Sequence, residues 1–334
     1  MKKLFFILAA AAGILVSCTK NEVAPAEPQE ITYMTAPLVK ANVAFNANNV
    51  FWSWAYHTGT ADWTYGSHPI WIDGEKISYK PANDVWKGTN SYYWPKNGDK
   101  LTFFAYSIND VDGKTLTNAT VSCPPANGIK VTGFTTADNL NVDFMVADIA
   151  ANKTANENVY DFEPETGVNP SGVPTLFKHK LSQVVFTIKT TSAYAGKTFN
   201  LKSITFNNIS GGADYYQNNS GVEGWSNYTA DVAATEYFDD DLVFADTKVT
   251  PTAIQSLYIP QDFNDETVTI VYTITTGSVT ETLTISKDLD EIFTADWEMG
   301  MKYTCDITIG LNEISWDPAV VDWTDGVAGG WGIN

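Results

Sequence analysis

Residues 267–275 read Thr-Val-Thr-Ile-Val-Tyr-Thr-Ile-Thr, a run made of β-branched and aromatic side chains. Such side chains lose rotamer freedom in a helix and pack well on a pleated surface, so the run is a strand. The same signal recurs along the chain. Residues 181–189 alternate, with Val184, Phe186 and Ile188 on one face, and Leu201, Ile204 and Phe206 follow. Residues 256–260, 280–286 and 302–309 repeat the pattern. Earlier, Leu38, Val43 and Phe45 lie near the expected first strand, and 70–77 reads as two strands joined by an Asp73-Gly74 turn. Residues 99–106 form an aromatic strand entered from the Asn97-Gly98 turn signal, and 141–147 is a further candidate. No long segment has helical periodicity. The expectation is an all-β protein built of antiparallel sandwiches.

The chain ends of this β region are marked by composition. Residues 152–174, with Pro164, Gly167, Pro170, Gly172 and Pro174, read as a linker, which divides the chain into sandwiches at 38–172 and 173–334. Ahead of them, Lys2 and Lys3 precede a short apolar run that stops at Leu15-Val16-Ser17-Cys18. That is the pattern of a secretory signal peptide over 1–17, and the cysteine after small residues resembles a bacterial lipobox. Cys18 is thus the expected lipid-carrying first residue of the mature chain, and 18–37, polar and dotted with proline, the expected tether and propeptide. A net charge of −19 repels phosphates and anionic headgroups, which excludes nucleic acid as a partner. All 20 basic residues are lysine. Cys123 and Cys305, the remaining thiols, sit beside strand-like sequence and read as two separate half-buried residues, with a disulfide as the alternative in an exported protein.

Chemistry is sparse. His57, His68 and His179 fall in no metal-ligand spacing, no nucleophile elbow or phosphate loop is present, and no cofactor is expected. Asn109-Asp110-Val111-Asp112-Gly113 fails as a calcium loop, since Ile108 and Ala119 would take its end ligand positions. Asp239-Asp240-Asp241 reads as a solvated acidic loop, because adjacent side chains on an extended strand cannot converge on one ion. The expected function is therefore not enzymatic. Aromatic residues crowd the stretch from Trp52 to Trp94; Trp52, Trp54 and Tyr56 share a strand face, and with Trp63 they form either a sandwich core or an exposed glycan-stacking surface.

Tyr92-Tyr93-Trp94-Pro95 followed by Leu101-Thr102-Phe103-Phe104-Ala105-Tyr106-Ser107 resembles a signature of fimbrillin-like proteins, the subunits of type V pili. Asp143-Phe144-Met145-Val146-Ala147, Phe177-Lys178-His179-Lys180-Leu181-Ser182, Ile259-Pro260-Gln261 and the closing Trp297, Gly300, Tyr303 and Ile314 to Trp323 fit in the same order. The resemblance implies two transthyretin-like β-sandwich domains in tandem, export as an outer-membrane lipoprotein, and a stalk, anchor or tip role in adhesive fimbriae. It also implies assembly with other pilus subunits by β-strand addition, after a protease cuts behind a basic residue and frees a groove. Lys40 stands at that position, where many family members have arginine. The strand-exchange residues would be Leu38, Val43 and Phe45 at the start, and Val327, Trp331 and Ile333 in the Gly-rich tail, which is either donated to a neighbour or tucked on its own domain. The alternative is a surface glycan-binding lipoprotein that uses Trp52, Trp54 and Trp63.

Overall fold

The computed structural model describes residues 28–35, 49–83, 85–108, 115–155, 172–229, 234–311 and 313–323. Their first half contains β1 (Tyr33–Thr35), β2 (Val50–Gly59), β3 (Ile70–Lys80), β4 (Val85–Lys87), β5 (Lys100–Ser107), β6 (Thr120–Ser122), β7 (Lys130–Thr135), β8 (Met145–Ala147) and β9 (Ala150–Lys153). Then come β10 (Val173–Thr175), β11 (Phe177–His179), β12 (Ser182–Thr190), β13 (Lys197–Asn207), β14 (Gly212–Asn219), β15 (Val222–Ser226), β16 (Thr235–Phe244) and β17 (Leu257–Tyr258). The last elements are β18 (Thr267–Thr276), β19 (Val279–Asp288), a single helical turn α1 (Leu289–Ile292), β20 (Met301–Ile309) and β21 (Ile314–Asp322). The protein is all-β, as its residue pattern requires.

The largest sheet runs β10-β1-β4-β3-β2-β5-β8-β11, with β9 also paired to β5. Its two end strands, β10 and β11, are consecutive in the chain and separated by Leu176 alone. One residue spans only a few ångströms, so the ends of the sheet meet and it rolls around its own core. Phe51, Ile72, Trp86, Trp94, Phe103 and Phe177 fill that interior. The opposite face of β2 and β5 carries Trp54, Tyr56, Phe104 and Tyr106, which pack under a second sheet, β15-β14-β7-β6. Because both faces of β5 are covered, residues Leu101 to Ser107 are buried without a break and the strand does not alternate between apolar and exposed polar positions.

That second sheet draws on distant parts of the chain. β6 and β7 precede residue 172, whereas the β14–β15 hairpin follows it and pairs through Gly212 with Thr135 and Tyr216 with Lys130. β10, which begins inside the expected linker, and β11 just past it both belong to the first sheet. The sheets therefore do not divide at 172/173. A separate core lies between β17-β12-β20-β21 and β16-β13-β18-β19, where Phe186, Ile188 and Ile307 meet Leu201, Phe206, Ile270 and Trp297. Pairing is antiparallel except between β1 and β10 and between β12 and β20.

Three local expectations change in the structure. Asp73-Gly74 does not turn the chain between two strands; both residues lie inside β3, opposite Trp54 alone, as a bulge between the pairs Ser53–Glu75 and Ala55–Ile72. Gly74 has φ +65°, and a Cβ there would sit 3.1 Å from the Trp54 ring, so the glycine serves a left-handed bulge and a close approach rather than a hairpin. Asp239 to Asp241 is strand, not loop: it falls in β16 at a register shift opposite β13, where Asp241 pairs with Lys202. The same shift, between Leu201 and Ser203, lets Leu201 and Ile204 both face the core despite their odd spacing. Finally, residues 33–35, read as tether, form β1.

Candidate functional site

Glu30 to Thr35 reads Glu-Ile-Thr-Tyr-Met-Thr, a short run of strand formers that Pro28 and Pro37 disguise as linker. Ile31, Tyr33 and Met34 are buried, and each such side chain contributes about 1.5–3 kcal/mol by leaving water. Tyr33 sets its ring edge-on to Phe51 and Phe103, at centroid distances of 5.5 and 5.9 Å. β1 lies between two neighbours. It pairs parallel with β10, matching Tyr33, Met34 and Thr35 to Val173, Pro174 and Thr175, and antiparallel with β4 through Tyr33 and Trp86.

The residues just before β1 dock on the aromatic signature. The Ile31 N–H donates to the Tyr92 carbonyl at 2.8 Å, and the Trp94 N–H donates to the Gln29 carbonyl at 3.0 Å. Glu30 receives the Lys87 ammonium at 3.0 Å and the Ser91 hydroxyl at 2.6 Å. The Ser91 hydrogen bond is the main reason the Glu30 carboxyl is held below its ordinary range; burial opposes it and Lys87 adds to it. On the other side, the Val173 N–H donates to the Thr32 carbonyl at 2.8 Å. Gly172 packs so closely that a Cβ would lie 2.7 Å from the Tyr33 carbonyl carbon. Removing residues 28–35 would leave an apolar trough over Phe51, Trp86, Phe103 and Val173, flanked by backbone groups that had bonded to β1.

Lys40 falls a few residues past β1, and Cys18, Leu38, Lys40, Val43, Phe45, Val327, Trp331 and Ile333 all lie outside the described residues. The strand that the structure places in the sheet is thus upstream of the 38–45 segment expected to provide it. The start of the tail is described: Trp323 is buried and stacks on His179 at a centroid distance of 3.5 Å, while Asp143 holds the His179 Nδ1 at 2.7 Å.

The aromatic cluster is largely core. Trp54 is buried, with its indole N–H on Asp73 at 3.1 Å, and so presents no face to a sugar. Trp52 stacks on Tyr106 at 5.2 Å, and Trp63 lies tilted against His68 at 4.6 Å, both half-buried against the same core. Trp71 and Tyr93 are more exposed than any of these three. His57 bonds Asp99 at 3.0 Å and His68 bonds the Thr64 carbonyl at 2.7 Å. Among the described residues no three His, Cys, Asp or Glu side chains gather as a metal site. Cys123 and Cys305 are buried free thiols in different cores, and burial pushes the Cys305 thiol up to about 12.

No curated protein matches the chain. Among solved structures, a fimbrial protein from Bacteroides vulgatus superposes with a TM-score of 0.66 at 18% identity, over 89% of this chain and 100% of that one. A candidate cell adhesion protein from Bacteroides uniformis gives a TM-score of 0.52 at 18% identity, over 88% and 99%. Likeness at that identity establishes a shared fold. The sequence profile described as fimbrillin-like spans residues 38–323, nearly the whole folded part. On that match the chain belongs to the fimbrillin-like family.

Proposed function

We propose that this chain is a non-enzymatic fimbrial subunit, lipidated at Cys18 and exported to the outer-membrane surface, which joins neighbouring subunits by exchanging its first strand. The observation that carries the reading is the position of β1, seated between β10 and β4 over a sealed aromatic core and ending five residues before Lys40. Proteolysis behind Lys40 would cut the connection between β1 and β2. The strand would then be held by contacts alone, and a neighbour's strand could restore the same hydrogen bonds and fill the same trough. Family membership supports association with other pilus subunits, and burial of Trp54 argues against the sugar-stacking alternative.

Mass spectrometry of the protein from its native cells tests the proposal. The expected precursor begins at acylated Cys18, and the assembled form begins at Ala41. Lys40→Ala should accumulate precursor and suppress polymers. Polymers that retain residues 18–40 would refute exchange through β1, and a precursor without acyl groups would refute the anchor.

A further inference from the structure

The second core has one long strand edge open. β19 ends the sheet β16-β13-β18-β19, and among the described residues no strand pairs with its outer side. Soluble proteins commonly blunt such edges with proline, and the end strand of the facing sheet, β21, carries Pro318. β19 runs for ten residues without one.

The hairpin that enters β19 fixes which of its backbone groups face outward. Gly277, at φ +61°, and Ser278 form a two-residue loop closed by the pair Thr276–Val279. The loop's hydrogen bond runs from the Val279 N–H to the Thr276 carbonyl, and inward and outward bonding then alternate along the strand. Glu281, Leu283, Ile285 and Lys287 bond to β18, while Thr280, Thr282, Thr284 and Ser286 turn their N–H and C=O groups outward. Side chains alternate too. Leu283 and Ile285 lie half-buried at the rim of the core, between Glu281 and Lys287, and the hydroxyl residues cover the solvent face.

The inner face therefore reads Glu, Leu, Ile, Lys from residue 281 to residue 287, and this order is complementary to its own reverse. We propose that a second copy of this chain pairs antiparallel with β19 about a twofold axis through Thr284, joining two four-stranded sheets into one of eight strands. In that register Leu283 meets Ile285, Glu281 meets Lys287, and Thr282 meets Ser286. The charged and aliphatic pairs occupy the non-hydrogen-bonded positions, where side chains approach most closely. A slip of two residues sets Glu281 against Ile285, or Lys287 against Leu283, so charge and apolar pattern select the same register. Lys287 already bonds Glu291 in its own chain, and an ammonium has donors enough for both carboxylates. This contact uses a different edge from β1 and does not depend on strand exchange.

The test uses the full-length protein at physiological salt, by sedimentation and by oxidative cross-linking. Glu281→Lys or Lys287→Glu alone should weaken the dimer by about tenfold or more, each placing like charges opposite one another, and the double reversal should restore it. Thr284→Cys should cross-link two copies on mild oxidation, because the axial pair lies about 5.5 Å apart at Cα, within disulfide reach. Thr280→Cys, which faces Asp288, should not. These positions are exposed or at the sheet edge, and unchanged thermal melting confirms that each variant folds. Failure of Thr284→Cys to cross-link, or a dimer indifferent to the single reversals, would overturn the proposal.

Discussion

A glycine in β3 and a carboxylate beside β1 do more for the first sheet than any reactive side chain does. Gly74 combines a left-handed backbone with contact to Trp54, so Gly74→Ala should cost about 1–3 kcal/mol in a urea melt and red-shift tryptophan emission as Trp54 loosens. Glu30 gives the first strand a pH dependence. Its carboxyl titrates below the ordinary value of about 4.3 in the folded chain, so the stabilisation is fully present above that value. It is lost as pH falls through the lower folded value, when the Ser91 and Lys87 contacts lose their anionic partner. Urea melts of wild type and Glu30→Gln should therefore differ at pH 7 and converge as the pH is lowered through the folded value. A gap that widens in acid would contradict the assignment.

At the scale of elements, β1 is short but sits where two longer parts of the sheet need it. Tyr33→Ala removes the ring that contacts Phe51 and Phe103, and truncations of this kind cost about 3–5 kcal/mol when fully buried. The expected readout is local: amide exchange should accelerate in 31–35 and at Val173 and Thr175 while β12 and β20 keep their protection. Uniform acceleration throughout would mean that β1 is part of one global unit. Gly172→Ala reaches the same contact from the other side, since its Cβ would overlap the Tyr33 backbone, and should open the same amides. β1 was not legible as a strand because its three residues lie between prolines and its partners, β10 and β4, are far away in sequence. The bulges in β3 and β13 were invisible for a related reason: Asp-Gly and an odd apolar spacing are local signals, and only the pairing strand decides whether they turn the chain or kink it.

For the whole molecule, the decisive feature is that the first core is completed from beyond residue 172. β10, β11 and the β14–β15 hairpin all contribute, with Tyr215 and Trp225 packed on Phe144 at 5.2 and 6.0 Å. A fragment of residues 28–172 would leave the face of Phe104, Tyr106 and Phe144 without half of its cover. Expressed alone, it should be aggregated or expanded, with no cooperative melt by circular dichroism. A sharp two-state transition would show that the later strands are dispensable. Conversely, Trp225→Ala, although it lies late in the sequence, should destabilise the first core and not the second.

By itself the sequence determined the all-β class, most of the long strands of the second half and the family. Those follow from local chemistry: β-branched runs favour the pleat, and aromatic motifs kept in order identify their relatives. It also left Trp52, Trp54 and Trp63 between core and glycan surface, because alternation gives a shared face but not what covers it. The tertiary structure supplied that cover, the β14–β15 hairpin, and with it the closure of the first sheet and the seat of β1. Each is a pairing between segments tens of residues apart, fixed by which edges and apolar faces remain unmatched after the local strands have formed.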